Sequence, residues 1–226
     1  VLGGKGRGPK ELMQVLTYNF DEHGNLVVYD SRLLRLKVYS PEGKVLKNVR
    51  LEEERKGHYI GSHQLYAQDD KIYVGILEAE FVNMSEETAW WNSQLLAVYN
   101  YDGELLSRMG KYDPSHAERK YYRYTPVFYV DSQAGRFFST HSYNFRIQKW
   151  DIASGKRMAY FGHKPQAFKA YDQSNIDGPL PKKERLELFA KQSIISDLYA
   201  DQDYIYLLYQ NIPESFFDTK NNMLKE

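Results

Sequence analysis

"DEHGNLVVYDSRLLRLKVYSPEGKVL", residues 21–46, reads as two β-hairpins in succession. Polar turns around Gly24 and Gly43 separate segments rich in β-branched and aromatic residues, and Asp30, Ser31 and Arg32 form the pivot between the hairpins. The rest of the reading depends on whether this stretch is a local accident or one copy of a repeated unit.

The chain repeats it. "LVVYD" (26–30) aligns with "IYVGI" (72–76), "FFSTH" (137–141) and "IYLLY" (205–209), each after a polar turn. Upstream of those turns lie "LTYNF", "QLYAQ", "PVFYV" and "SDLYA", short segments that supply the first arm of each hairpin. Second halves follow at 34–51, 94–110 and 145–162, folded around Gly43, Gly103 and Gly155. Leu2-Gly3 matches Met109-Gly110 and Phe161-Gly162, so a further blade tail is expected at the N-terminus.

Four antiparallel strands recurring at intervals of roughly 40 to 50 residues describe a β-propeller blade, which buries its two faces only by stacking on neighbours. The expected fold is all-β, a propeller of four-stranded antiparallel blades. The expected organisation is a blade tail at 1–4, blades at 15–51, 62–110 and 125–162, and a partial blade at 194–226. Insertions are expected at 77–92 and 163–193, the second holding a short helix at 179–193 whose Pro181 suits a first helical turn. About four blades are visible, which implies a longer ring with roughly two more; the alternative is a small four-bladed ring closed by the N-terminal "VLGG".

Composition narrows the function. Lys plus Arg and Asp plus Glu both number 30, so no net positive field favours nucleic acid. There is no cysteine, which removes disulfides, thiolate nucleophiles and cysteine metal sites. No apolar run approaches the roughly 20 residues of a membrane-spanning helix. The 20 Tyr and 11 Phe favour strands over helices.

"GNLVVYDSRLLRLKVYSPEGKVL" resembles an NHL-type propeller repeat: a glycine turn, an apolar strand ending in Asp-Ser, an Arg-led strand and a second glycine turn. "GRGPKEL" (6–12) is similar to the Gly-x-Gly-Pro-Gly-Glu-Phe segment between blades of bacterial TolB-like six-bladed propellers, with Lys10 in place of the second glycine and Leu12 in place of Phe. The resemblance implies a six-bladed ring and an exported protein, periplasmic or at the cell surface. Many members are lipoproteins, so a lipid anchor in the precursor goes with it.

In a blade whose strands run outward from the axis, the first-to-second and third-to-fourth turns open on one face and the other connections on the opposite face. Every turn of the first kind is short, and the long excursions (52–62, 77–92, 111–125 and 163–193) all belong to the second kind. Insertions gathered on one face of a repeat array mark its binding side.

Candidate ligand-binding residues on that face are Asp30 and Arg32 in the first pivot, His141, Tyr143 and Asn144 in the third, and Tyr209 in the fourth. Trp90 and Trp91 in "AWWN" complete the set, since indoles stack on sugar rings and anchor protein partners. For the pivots, turn chemistry and hydrogen bonding between blades are the competing explanation. Arg35 and Arg146 occupy equivalent positions and are read as structural, each pairing a carboxylate of its own or the next blade, with Asp30 a candidate partner.

Neither a Gly-x-Ser-x-Gly elbow nor a phosphate loop occurs, and "HYIGSH" lacks the spacing of a zinc protease helix. Asp30, Ile76, His141 and Tyr209 at matching positions make a poor calcium cage. No catalytic residue, metal ligand or cofactor is assigned. The reading is a non-catalytic binding module for a glycan, peptide or protein. The alternative is a metal-dependent lactonase-type hydrolase or lyase with an axial cation.

Overall fold

The computed structural model describes residues 4–8, 10–51, 58–78, 94–113, 126–142, 144–170, 192–211, 217–218 and 223–224. Among these, all regular structure is β. Strands β1 (Val15–Phe20), β2 (Leu26–Asp30), β3 (Arg35–Tyr39) and β4 (Val45–Arg50) form one antiparallel sheet in chain order. A second contains β5 (His58–Gln68), β6 (Lys71–Glu78), β7 (Leu96–Asn100) and β8 (Leu105–Met109), and a third β9 (Pro126–Asp131), β10 (Arg136–His141), β11 (Asn144–Asp151) and β12 (Arg157–Phe161). β13 (Ser193–Ala200) and β14 (Ile205–Asn211) pair as a fourth, and β15 (Phe217–Asp218) and β16 (Met223–Leu224) make a short hairpin.

Local chemistry sets the turns. Gly43 and Gly103 stand at equivalent corners with φ of 81° each, a left-handed conformation that costs glycine nothing. Asp69 and Asp70 both adopt positive φ, 51° and 55°, giving the two-residue hairpin between β5 and β6 the twist that antiparallel strands prefer.

The central strands are buried on both sides, and successive side chains go to different neighbours. On β6, Ile72, Val74 and Ile76 pack with Val27, Tyr29, Leu36 and Val38 of the first sheet, while Tyr73 points to Phe128, Val130, Phe137 and Trp150 of the third. β10 behaves alike: Phe137 faces the second sheet, and Phe138 joins Ile195, Leu198 and Ala200 of β13. β6 therefore reads as a near-continuous apolar run from Ile72 to Ile76, where a one-sided sheet would alternate.

The first strands of successive sheets lie side by side, β1 on β5, β5 on β9 and β9 on β13. Gln64 of β5 accepts a hydrogen bond from the Phe128 N–H of β9 at 2.7 Å and donates one to Asp197 of β13 at 2.7 Å, so three inner strands meet at one side chain. Tyr66, Tyr129 and Tyr199, equivalent residues of those strands, touch edge-on at centroid distances of 5.7 and 4.9 Å. The sheets are blades of a β-propeller.

Tyr18 and Phe20 of β1 are 62% and 59% exposed, and Leu208 of β14 is 63% exposed. Among the described residues no strand pairing joins the first blade to the fourth. The helix expected at 179–193 falls outside the described residues except for its last two, and Ser193 opens β13. β5 begins at His58, inside the stretch expected as a loop, with an irregular register between Ile60 and Leu65.

Asp21 ties the first blade to the second. Its carboxylate accepts from the His23 and Asn25 N–H groups, the Asn25 side chain and the Tyr101 hydroxyl at 3.0 Å. Burial acts to raise its pKa, but the hydrogen bonds from Asn25, Tyr101 and His23 outweigh it and hold the group below the ordinary 3.8. Its stabilising contribution is thus complete above about pH 4 and lost as pH falls through the lower folded value. Tyr101→Phe is expected to cost about 1 kcal/mol at pH 7. That cost should shrink under acid when Asp21 protonates, as urea denaturation across a pH series would record.

Candidate functional site

Strand order alone fixes which connections share an edge. In each complete blade the start of the first and third strands and the end of the second and fourth lie together, so the spans 52–57, 79–93 and 114–125 all leave from one edge, as does the span following β12. The described turns at 21–25, 40–44, 69–70, 100–104, 132–135, 151–156 and 201–204 occupy the other edge.

The pivots sit on the long-connection edge, and the structure fills them with the chain entering each blade. In the first blade Asp30 is fully buried, and its carboxylate accepts four backbone N–H groups: Met13 at 2.7 Å, Gln14 at 3.2 Å, and Arg32 and Leu33 at 3.1 Å each. It closes its own turn and clamps the incoming segment. It is paired in register with Arg35, yet no ion pair joins them, so the carboxylate expected to neutralise Arg35 serves the backbone instead. Arg32 itself is exposed.

The "GRGPKEL" loop covers the same mouth. Glu11 accepts the Gly8 N–H at 2.7 Å, and a Cβ on Gly6 would sit 2.0 Å from the Glu11 carboxylate, so only glycine lets that side chain lie there. Lys37, fully buried in β3, donates to the Gly8 carbonyl at 3.2 Å and to the Glu11 carbonyl. Burial lowers the Lys37 pKa, countered by Asp30, reinforced by Arg35 and countered again by Glu11.

In the third blade the connection brings Tyr112 and Asp113 to the corresponding place. Tyr112 stacks on the buried His141 ring at 5.1 Å, and Asp113 accepts from Arg146 at 3.3 Å. Burial drives the His141 pKa down to about 3, with Asp113 opposing, so the ring is neutral at physiological pH. In the fourth blade Phe168 packs against Tyr209 at 5.5 Å and Phe145 at 5.2 Å, and Lys169 exchanges hydrogen bonds with Ser193.

Asp30, His141 and Tyr209 therefore lie in three separate clusters, each closed by the segment that enters its blade. Asn144 opens β11, paired with His141. Tyr143, Trp90 and Trp91 lie outside the described residues.

Repeat alignment exposes a difference that motif reading missed. Gln148 of β11 stands where the first blade has Lys37, is fully buried, and neither its Oε1 nor its Nε2 has a hydrogen-bond partner. Leaving a buried polar group unsatisfied costs about 1 to 3 kcal/mol. Its cross-strand partner Tyr160 of β12 is flanked by two guanidinium groups, Arg157 at 4.2 Å and Arg146 at 4.7 Å from the ring centroid. Asp113 is paired with Arg146, whereas Arg157 has no carboxylate partner among the described residues. The sequence signal was a polar residue in the middle of a strand whose neighbours are core.

Glu22, His23 and Asp70 offer ligand atoms within 4.8 Å of one another, but they are exposed and occupy turns on the edge opposite the pivots.

No protein-family model matches the sequence, and no curated protein matches it. The fold is similar to the crystal structure of a member of the DUF4221 family from Bacteroides vulgatus, with a TM-score of 0.62 and 12% identity over 92% of this chain and 59% of that one. The Pan2 WD40 domain of Neurospora crassa aligns over 94% of this chain and 49% of its own at 11% identity and a TM-score of 0.47. At such identities the likeness speaks to the fold alone. The chain spans 59% of the length of the Bacteroides structure. No helix among the described residues is long and apolar enough to cross a membrane.

Proposed function

We propose that the chain is a non-catalytic binding module, part of an exported bacterial propeller of six blades in the TolB-like manner, whose long-connection face engages a glycan, peptide or protein partner. The observation that carries this reading is the asymmetry of the connections: tight turns on one edge, long excursions on the other, held by rigid sheets. Six blades go with the resemblance, and Tyr206 and Leu208 of β14, which point away from the third blade, stay exposed as a face awaiting a neighbour would. An extracytoplasmic location, periplasm or cell surface, goes with the resemblance, as does a lipid anchor on the precursor.

Trp90 and Trp91, in the excursion of the second blade, are the proposed contact pair. Trp90→Ala and Trp91→Ala are each expected to weaken partner binding roughly tenfold or more, the size of an interface anchor. Glycan arrays and pull-downs from native extracts would measure it. Undiminished binding by the double variant would remove the pair from the site.

A further inference from the structure

We propose that the long-connection face engages an acidic polypeptide. This rests on the binding-module reading and names a partner class for that face.

The net charge of zero is the sum of two opposite faces. Lys5, Arg7 and Lys10 stand exposed in the segment entering the first blade, and Arg32 in its pivot. Lys111 follows the second blade, and Lys164 and Lys169 follow the third, all exposed. None of them forms an ion pair among the described residues. The acids described in the same connections are Glu11, which accepts the Gly8 N–H, and Asp113, which is buried beside Arg146.

On the opposite edge the bias reverses. Glu22, Asp69, Asp70 and Asp203 are exposed in the inner hairpin turns. Glu42, Asp102 and Glu104 are exposed in the outer ones, where Lys44 and Lys156 are the exposed cations. The sequences of the spans 52–57, 79–93, 114–125 and 171–191 carry nearly balanced charge, so they do not cancel the difference between the edges.

The two faces act separately. Strands of 5 or 6 residues, such as β2 and β1, set the edges roughly 17 to 20 Å apart, about two screening lengths at physiological salt. A partner at the long-connection face therefore meets its cations and little of the opposing field.

The chemistry of these cations selects among anions. All but Arg7 and Arg32 are lysines, mobile point charges without the planar fork that recognises phosphate. They are set singly or in small groups on separate connections, whereas a duplex carrying one charge per ~1.7 Å rewards a continuous row. Among the described residues these connections expose no large apolar side chain of the kind that inserts into a lipid surface. Dispersed ammonium groups are matched best by the dispersed carboxylates of a polypeptide.

The test is isothermal titration of the 226-residue chain at low salt with poly-glutamate, a DNA duplex and phosphatidylglycerol vesicles. Poly-glutamate is expected to bind most tightly, and to weaken as salt is added. Lys111→Glu, Lys164→Glu and Lys169→Glu combined should weaken its binding roughly tenfold or more, with melting unchanged, since each exchanges an attraction for a repulsion. Glu22→Lys and Asp203→Lys combined, on the other edge, should alter it by less than about twofold.

Absence of poly-glutamate binding, tighter binding of the duplex or the vesicles, or equal effects of the two sets of reversals would each overturn the assignment. Were the Trp90 and Trp91 variants to abolish partner binding while the lysine reversals left it unaltered, the acidic partner would fall and the broader binding reading would stand.

Discussion

Asp30→Ala is expected to destabilise the protein by about 3 to 4 kcal/mol, because it strands four backbone N–H groups from Met13, Gln14, Arg32 and Leu33 in a fully buried corner. The four penalties do not add in full, since the freed segment at 13–14 can relax towards water. For a chain of this size the loss corresponds to a fall in melting temperature of ~10 °C. Asp30→Asn keeps one acceptor oxygen and should lose about half as much. Thermal and urea denaturation, run beside a binding assay, separate two roles for this residue. A stability loss under 1 kcal/mol together with lost binding would return Asp30 to the ligand-contacting set.

Gly110→Ala should cost about 2 to 4 kcal/mol by a different route. Gly110 ends the second blade with φ of 74°, where an L side chain is strained, and a Cβ there would lie 3.1 Å from both Leu95 Cδ1 and Phe137 Cζ. The strain and the crowding can be told apart. Gly135 has φ of 63° but nothing within 4 Å of its would-be Cβ, so Gly135→Ala carries the backbone cost alone, about 1 kcal/mol. Equal effects in the two variants, read from urea midpoints, would show that contact with the third blade through Phe137 contributes nothing.

Gly110 also marks how far the sequence could be read. Its alignment with Gly162 and with Gly3 located the end of the blade unit, and both Gly110 and Gly162 take positive φ, 74° and 123°. The four-stranded unit was legible because its causes are local: turn residues fixed the corners, and the apolar strands between them repeated in the same order. Less legible was β5. Its first residues, "HYIGSH", lack the apolar alternation of its partners, and pairing with β6 extends the strand to His58 regardless.

The pivot residues were the harder case. Asp30, His141 and Tyr209 were selected because polar or aromatic residues recur at one end of equivalent strands. Their partners come from elsewhere in the chain: Met13 and Gln14 for Asp30, Tyr112 for His141, Phe168 for Tyr209. Nothing in the spacing of a strand and its own turn indicates that the preceding connection will fold back and occupy that corner. The same applies to Lys37 and Gln148, equivalent residues of which the first reaches the Gly8 and Glu11 carbonyls and the second reaches nothing.

By itself, then, the sequence determined the repeat, the turns and the edge on which the long connections leave, since each depends on residues within one hairpin of each other. Tertiary structure alone decided which polar side chains are consumed between blades and which, like Arg157 beside Tyr160, stay turned to solvent. Hydrogen bonding and burial at those positions are set by chain segments that only stacking of the sheets brings into reach.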